Sequence, residues 1–260
     1  MTALPQPSFA ASAALLTGRT LRHFVRQPQL LLFSTVQPVM FVLLFAFVFD
    51  GTVGDALPPG VDYIDFLLPG IFVQATAFRA TQTTVGLAND LEKGVIDRLR
   101  SMPLATPAVL VGRTTADALR SVFVIVLMVA AAWPLGFRFT AGLGPALGSV
   151  AVVAVFGLAL SWIFALVALT VRGAEAASSA SFLVVFPLVF ASSVFVPVET
   201  LPSWLQAVAA VSPITVTVDA ARALALGGPV AGAVTGSLLW SAAIIALCAP
   251  LAVWRFARMS

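Results

Sequence analysis

Charged side chains are scarce in this sequence. They make up 10% of its 260 residues, whereas 60% of the residues are hydrophobic; in soluble domains about a quarter of the residues are charged. The few charges also cluster, which leaves apolar stretches of roughly 18–25 residues, long enough to cross a hydrocarbon core of about 30 Å. The shortage of charge excludes a soluble domain. It predicts an all-α polytopic membrane protein, because helices satisfy their own backbone hydrogen bonds in lipid.

Residues that bind metals and nucleotides are also few. Cys248 is the single cysteine and His23 the single histidine, which excludes an intrachain disulfide, a cysteine metal cluster and the paired histidines of an H-E-x-x-H metalloprotease. The one lysine, Lys93, follows Glu92 and not a glycine-rich loop, so the sequence holds no P-loop. We expect no catalytic residue, no metal and no cofactor in this chain. If ATP drives it, a second polypeptide must hydrolyse that ATP.

Carboxylates are missing from the apolar stretches: all eleven Asp and Glu residues lie in loops or at the ends of predicted spans. Carriers driven by protons or sodium usually bind the coupling ion at an intramembrane carboxylate, so energy should enter this protein another way. Some sodium sites use only backbone carbonyls and hydroxyls, which keeps an ion-coupled secondary transporter or a channel-like subunit as the alternative. An integral membrane enzyme of lipid metabolism is a third class, disfavoured because its usual catalytic clusters are missing.

Six apolar stretches are long enough to be membrane spans, and the second is the least apolar of them. The predicted spans are about 31–49, 66–88, 119–136, 146–170, 179–197 and 230–254.

The distribution of basic residues predicts the orientation. Eleven of the fourteen Lys and Arg residues fall on one side of these spans, two on the other and one, Arg79, within a span. Because positive charge is retained on the cytoplasmic side, both termini should be cytoplasmic in a multi-pass protein of the plasma (inner) membrane. Residues 1–29 would form a cytoplasmic N-terminal segment and 30–260 the membrane domain. No signal peptide is expected, because the first 18 residues carry no basic residue.

Two basic segments lead to specific predictions. Ser8 to Arg26 should form an interfacial amphipathic helix, with three arginines on one face and apolar residues on another; the alternative is a basic lead-in that only fixes the topology. Arg113 and Arg120 should mark the cytoplasmic entry of the third span, with Asp117 paired to one of them.

The loop after the second span has the pattern of a short helix. Asn89 with Glu92 three residues later resembles a capping box, a common helix start. Apolar residues then recur at helical spacing, and Pro103 ends the helix because the residue before a proline avoids the α region. The pattern predicts a three-turn amphipathic helix over about 89–102 on the cytoplasmic side, and favours a docking element over the alternative, a solvated connector. The apolar stripe consists of Leu91, Val95, Leu99 and Met102.

This loop also resembles a family signature. Over 92–103 the sequence EKGVIDRL, followed by MP, resembles the E-x-G-x-x-x-x-L…P signature of type-2 ABC exporter permeases, and the likeness extends to the daunorubicin-resistance type of drug-efflux permease. Residues 197–205 and 212–214 resemble the external segment of those permeases. The resemblance implies six transmembrane helices, an N-terminal interfacial helix, a cytoplasmic coupling helix, and short external helices between spans five and six, here about 199–226.

The resemblance implies partners as well. The chain would be the permease subunit of an ATP-driven exporter, paired with a second permease, identical or homologous, and served by two copies of a cytoplasmic ABC ATPase that bind ATP and Mg²⁺. Lipid would surround it, and no nucleic acid is expected. The cargo would be a hydrophobic or amphipathic molecule such as a drug, an antibiotic, a lipid or a glycolipid. The residues implied in ATPase coupling are Glu92, Lys93, Gly94, Asp97, Arg98, Leu99 and Pro103.

The second and fifth spans hold the candidate residues of a substrate pathway. An arginine near mid-span is costly if it faces lipid, so Arg79 should face protein, water or an anion; it either lines a translocation path or is a structural residue. Pro187 permits a bend in span five, which suits a moving helix or a static kink. Asp219 and Arg222 are interpreted as an ion pair on a helix surface. The candidate pathway residues are Gln74, Arg79, Gln82, Thr83 and Pro187, and we expect the three polar neighbours of Arg79 to solvate its head.

Overall fold

The computed structural model describes residues 8–25, 36–45, 47–48, 62–96, 106–171 and 173–259. Over these ranges the chain is helical and contains no β-strand, which confirms an all-helical protein. Single 3₁₀ turns lie at Trp133–Leu135 and Val198–Thr200. The helices are α1 (Phe9–Val25), α2 (Val36–Phe45), α3 (Tyr63–Glu92), α4 (Thr106–Ala132), α5 (Leu143–Thr170), α6 (Ala174–Phe190), α7 (Ser203–Val211), α8 (Pro213–Leu226) and α9 (Val230–Arg258).

Several described helices are suited to a bilayer. By length and composition α4 (with the 3₁₀ turn that follows it), α5 and α9 can each cross a membrane. The pair α7 and α8 meets the same criteria when taken together, but its two helices are bent by 71° around Ser212, as in a broken span or a re-entrant loop. The shorter apolar helix α2 lies within the first predicted span. α6 overlaps the fifth, predicted for 179–197, but it begins at Ala174 and ends at Phe190, so the predicted C-terminal end of that span is wrong. These helices confirm a membrane protein.

The least apolar of the predicted spans forms the most central helix. α3 is 30 residues long, and most of its side chains are buried against α4, α5, α6 and α8. Leu67, Ile71 and Phe72 are fully buried in the largest apolar core. Because α3 is covered by protein, its polar side chains do not have to face lipid, and a helix with so many Gln and Thr residues can lie at the centre of the bundle.

Two glycines bring α3 unusually close to its neighbours. A Cβ on Gly157 of α5 would collide with the methyl group of Thr76, and a Cβ on Gly70 would collide with the backbone carbonyl oxygen of Val194. Small residues allow this approach between membrane helices, where close van der Waals packing drives association.

α1 packs along the first turns of α4. The Thr17 hydroxyl donates a hydrogen bond to the Gly112 carbonyl oxygen at 3.0 Å, and a Cβ on Gly112 would lie 2.8 Å from the Leu16 Cβ. A helix therefore forms where the sequence predicts the N-terminal amphipathic helix, with one side covered by protein. Its position on a membrane surface stays a prediction.

Two further predicted boundaries are wrong. α4 begins at Thr106 and not near 119, because the charged residues in these first turns pair within the helix bundle instead of ending the helix. The capping box at Asn89 does not form: the Asn89 carbonyl oxygen accepts the Lys93 N–H at 3.0 Å, so Asn89 belongs to the last turn of α3. Gly94, at φ 63°, then ends α3 in the left-handed conformation that favours glycine. Residues 97–102 of the predicted coupling helix lie outside the described residues.

Candidate functional site

A cavity of about 530 Å³ lies between α2, α3, α4 and α5. Its volume is within the range of small-molecule sites. One part of its wall is apolar, with Phe41, Phe78 and Val85. The polar lining residues outnumber the apolar ones and come mainly from α3 and α4. They include Gln37, Gln74, Arg79, Gln82, Asn89, Arg113, Asp117, Arg120 and Ser121.

Asp117 joins the two polar helices. Its Oδ1 lies 3.2 Å from Arg120 Nη1 on the same helix, and its Oδ2 accepts a hydrogen bond of 2.6 Å from the Thr83 hydroxyl of α3. The prediction that Asp117 pairs with one of two arginines is confirmed, and Arg120 is the partner. The other arginine, Arg113, pairs with Asp90 at 2.5 Å and thereby makes a second ionic link from α4 to α3.

The predicted pathway residues are only partly brought together. Gln74, Arg79 and Gln82 all line the cavity, in agreement with the path interpretation of Arg79. Thr83 is buried instead, with its hydroxyl committed to Asp117. That Thr83 helps to solvate the Arg79 head stays a prediction, and its hydroxyl proton goes to the Asp117 carboxylate of α4.

Pro187 lies outside the cavity, next to a row of aromatic rings in contact with one another. Phe78 on the cavity wall contacts Phe182 and Phe186 of α6, with ring centroids 6.3 and 5.4 Å apart. The row continues from Phe186 through Phe190, at 5.3 Å, to Phe195, at 5.4 Å. We call Phe78, Phe182, Phe186, Phe190 and Phe195 the phenylalanine ladder. It extends the apolar part of the cavity wall along α6.

The sequence held a signal for the ladder that composition alone did not reveal. Phe182, Phe186 and Phe190 recur every four residues, which places them on one helix face. Arg113, Asp117 and Arg120 follow one another on α4 at spacings of four and three residues, a pattern that points three charged groups toward one neighbour.

The turn after α3 is tied to the start of α6. The Ala174 backbone N–H donates to Glu92 Oε1 at 3.1 Å, so this carboxylate caps the N-terminus of α6, where the helix dipole favours negative charge. The neighbouring side chain of Lys93 is exposed. The other residues implied in ATPase coupling, Asp97, Arg98, Leu99 and Pro103, lie outside the described residues.

Arg222 contradicts the interpretation of a surface ion pair. It does approach Asp219, with 3.6 Å between Nη1 and Oδ1, but its side chain is only 11% exposed. Its guanidinium donates to the carbonyl oxygens of Phe66 at 2.8 Å, Ser193 at 2.6 Å and Val194 at 3.0 Å. Arg222 therefore joins α8 to α3 and to the segment after α6. Helical spacing to Asp219 predicts the pair but carries no information about these distant carbonyls.

Comparison with known proteins decides the family. The sequence pattern of the ABC-2 type transporter family matches residues 12–226. The chain belongs to this family. An ABC-2 relative, the daunorubicin resistance ABC transporter permease protein of Streptomyces coeruleorubidus, is 35% identical over 248 residues, covering 95% of this chain and 87% of the relative. Another, named "Probable doxorubicin resistance ABC transporter permease protein", from Mycobacterium tuberculosis, is 28% identical over 252 residues, covering 94% and 88%.

Membership of the ABC-2 family confirms the resemblance drawn from the coupling loop. The chain is a membrane permease subunit of an ABC exporter, and an ABC ATPase is its partner. The ion-coupled alternative is not favoured, since these relatives are ABC permeases.

Proposed function

We propose that this permease moves a hydrophobic or amphipathic molecule out of the cytoplasm or the inner leaflet, through a path that begins in the cavity and follows the phenylalanine ladder. The main support for this proposal is that the cavity and the ladder are continuous. Phe78 lines the cavity and also packs on the ladder rings of α6. A wall that is polar at α4 and apolar toward α6 suits a cargo with both characters. The resistance functions in the names of the two relatives support a drug-like cargo, beside the lipid or glycolipid classes.

The direction of the proposed path depends on the orientation of the chain in the membrane. In the proposed topology α2, α3, α4, α5, α6 and α9 are the six spans, both termini are cytoplasmic in the plasma membrane, and α7 and α8 lie toward the outside. The excess of basic residues at the predicted inner side supports this arrangement. The cavity would then open near Asn89 and Arg113 at the inner side, and the ladder would lead outward to Phe195. Residues 30–260 form the membrane domain and 1–29 the cytoplasmic segment.

Energy would enter through the turn that follows α3. ATP and Mg²⁺ bind to the partner ATPase, expected in two copies beside two permease subunits, identical or homologous. The surface that meets the ATPase comprises Glu92, Lys93, Gly94, Asp97, Arg98, Leu99 and Pro103. The bond from Glu92 to the first residue of α6 supports a direct link between this surface and the helix that carries the ladder.

Co-purification with a P-loop ATPase encoded next to this chain tests the proposed function. Wild-type permease should retain the ATPase and export cargo only when ATP is hydrolysed. The Leu99→Asp variant should reach normal abundance, because residue 99 lies outside the predicted spans, but should lose the ATPase, since an unpaired charge is costly in an apolar cleft. Normal export by Leu99→Asp would contradict the coupling assignment, and export that continues without any ATPase would contradict the proposed function.

A further inference from the structure

The charges on the cavity wall point to one class of cargo. The described lining residues include three guanidinium groups, those of Arg79, Arg113 and Arg120, and one carboxylate, that of Asp117. Counting the nearby Asp90, which pairs with Arg113, still leaves three positive groups against two negative ones. We propose that the cavity binds an amphipathic molecule with an anionic head, such as a phosphate or a carboxylate. This inference rests on the proposed function, because it names the cargo of the same path.

Both carboxylates are already engaged by protein. Asp117 accepts from Thr83 and pairs with Arg120, and Asp90 is paired with Arg113. Within the part of the chain that the structure describes, a positively charged ligand would therefore meet the guanidinium groups without an unengaged carboxylate to offset their repulsion, which costs affinity. An anion would instead lower the cost of holding three cations at the depth of a membrane span.

The arginine geometry suits an oxyanion. The ion pair of Arg113 engages one N–H donor, on Nη1, with one oxygen of Asp90. The planar guanidinium has four further N–H donors, with which it can bind a second acceptor. Guanidinium groups bind carboxylate and phosphate through two parallel hydrogen bonds, which adds specificity to charge.

The apolar wall requires the rest of the molecule to be hydrophobic. Phe41, Phe78 and Val85 face the same cavity, and a free inorganic ion would leave these side chains uncovered. Along α3 the lining extends from Gln74 to Asn89, which is about 22 Å at 1.5 Å per residue. The cavity thus offers length for a chain as well as charge for a head.

A binding assay on the purified permease in phosphatidylcholine nanodiscs tests the preference for an anionic, amphipathic ligand, and it needs no ATPase. Radiolabelled dodecyl phosphate is the probe, empty nanodiscs are the blank, and the competitors are unlabelled dodecyl phosphate, dodecyltrimethylammonium and inorganic phosphate. We expect dodecyl phosphate to compete at least about tenfold better than either of the others, a ratio within the contribution of one charge-assisted hydrogen bond. Equal competition by dodecyltrimethylammonium would overturn the anionic head, and equal competition by inorganic phosphate would overturn the amphipathic class.

Substitutions test whether dodecyl phosphate binds in the cavity. Arg79→Gln should weaken dodecyl phosphate about tenfold, and Arg79→Lys should restore part of the loss because it keeps the charge without the fork. Arg258→Gln, which removes an exposed arginine over Trp254 at the end of α9, is the matched control and should bind normally. Unchanged binding by Arg79→Gln, or an equal loss in Arg258→Gln, would overturn the site. ATPase co-purification is independent of this assay, so failure of the charge preference is distinguishable from failure of the proposed function.

Discussion

The Glu92 carboxylate accepts the backbone N–H of Ala174 across 82 residues of sequence, and so fastens the last residue of α3 to the first residue of α6. The exposed position of Glu92 would suit a contact with the ATPase. The bond shows that its side chain also has a partner within the chain. A displacement of the turn at Lys93 and Gly94 would therefore act on α6 directly.

Glu92→Ala should reduce export without releasing the ATPase. Loss of a helix cap costs about 1 kcal/mol, so the variant should fold, reach the membrane and retain the ATPase, but export cargo poorly. Glu92→Gln keeps an acceptor oxygen and should export at an intermediate rate. Glu175→Ala is the control, since it removes an acidic residue from the same first turn of α6 without a bond to α3. Loss of the ATPase in Glu92→Ala would assign the residue to docking alone.

Asp117→Asn should destabilise the protein more than Asp90→Asn. Asp117 is 13% exposed and bonded to two partners, whereas Asp90 is 37% exposed in its pair with Arg113. Removing one partner of a buried ion pair costs about 3–5 kcal/mol, and a more exposed pair is worth about 1 kcal/mol or less. Thermal unfolding in detergent measures both. Equal losses in the two variants would show that Asp117 is no more important than a surface acid.

Arg222→Lys should lower the abundance of the protein in the membrane. An ammonium group cannot reach the carbonyls of Phe66, Ser193 and Val194 together, and each buried acceptor left without a donor costs about 1–3 kcal/mol. Arg138→Lys is the control, because Arg138 is exposed and bonds only near its own position, to Trp133 and Phe137. Normal abundance and normal unfolding temperature in Arg222→Lys would contradict the role of Arg222 as a link between α8 and α3.

Phe186→Ala should reduce export of an apolar fluorescent cargo about two- to tenfold, since each aromatic contact contributes about 0.5–1.5 kcal/mol. Phe186 is 47% exposed and contacts Phe78, Phe182 and Phe190, so its loss should affect cargo more than folding. Leu183→Ala, on the same helix and 77% exposed, should export within about twofold of wild type because it removes no ladder ring. An equal effect of the two substitutions would remove the ladder from the path.

Cysteine labelling tests the orientation. In a Cys248→Ser background, Gly60→Cys should react with a membrane-impermeant maleimide on intact cells. Val95→Cys should react only after lysis, because the positive-inside rule places the loop after α3 in the cytoplasm. The reverse pattern would overturn the topology and the coupling surface with it.

The sequence predicted the class of structure well and its internal contacts poorly. Hydropathy identified membrane helices because the requirement for apolar side chains applies locally, along each helix. It ranked α3 as the weakest span, although α3 is the central helix, because hydropathy does not distinguish a polar side chain facing lipid from one facing protein. It placed the start of α4 too late for the same reason: Arg113 and Asp117 find partners on α3 that are distant in sequence, and Arg120 pairs with Asp117 within α4.

The candidate site was predictable in its parts but not as an arrangement. Arg79 and its glutamines were singled out from their position within a span, and they do line the cavity. The bond from Thr83 to Asp117 was not foreseen, and Arg222 was assigned to a surface, because i,i+3 and i,i+4 spacing describes neighbours on one helix. The bonds from Thr83 to Asp117 and from Arg222 to Val194 depend on how helices are placed side by side.

The close packing of Thr76 against Gly157 limits how the permease can change its conformation. Sliding α3 along α5 would drive the threonine methyl group into a side chain above or below the glycine, and packed interiors resist such overlap. α3 and α5 should therefore travel as one rigid body. α6 meets that body through a different set of contacts: the Glu92 carboxylate at its first residue, tilted and edge-to-face rings around Phe78, and Val185 and Val189, which are buried in the largest apolar core. Motion of α6 relative to α3 and α5 would therefore have to separate these rings and uncover two buried valines.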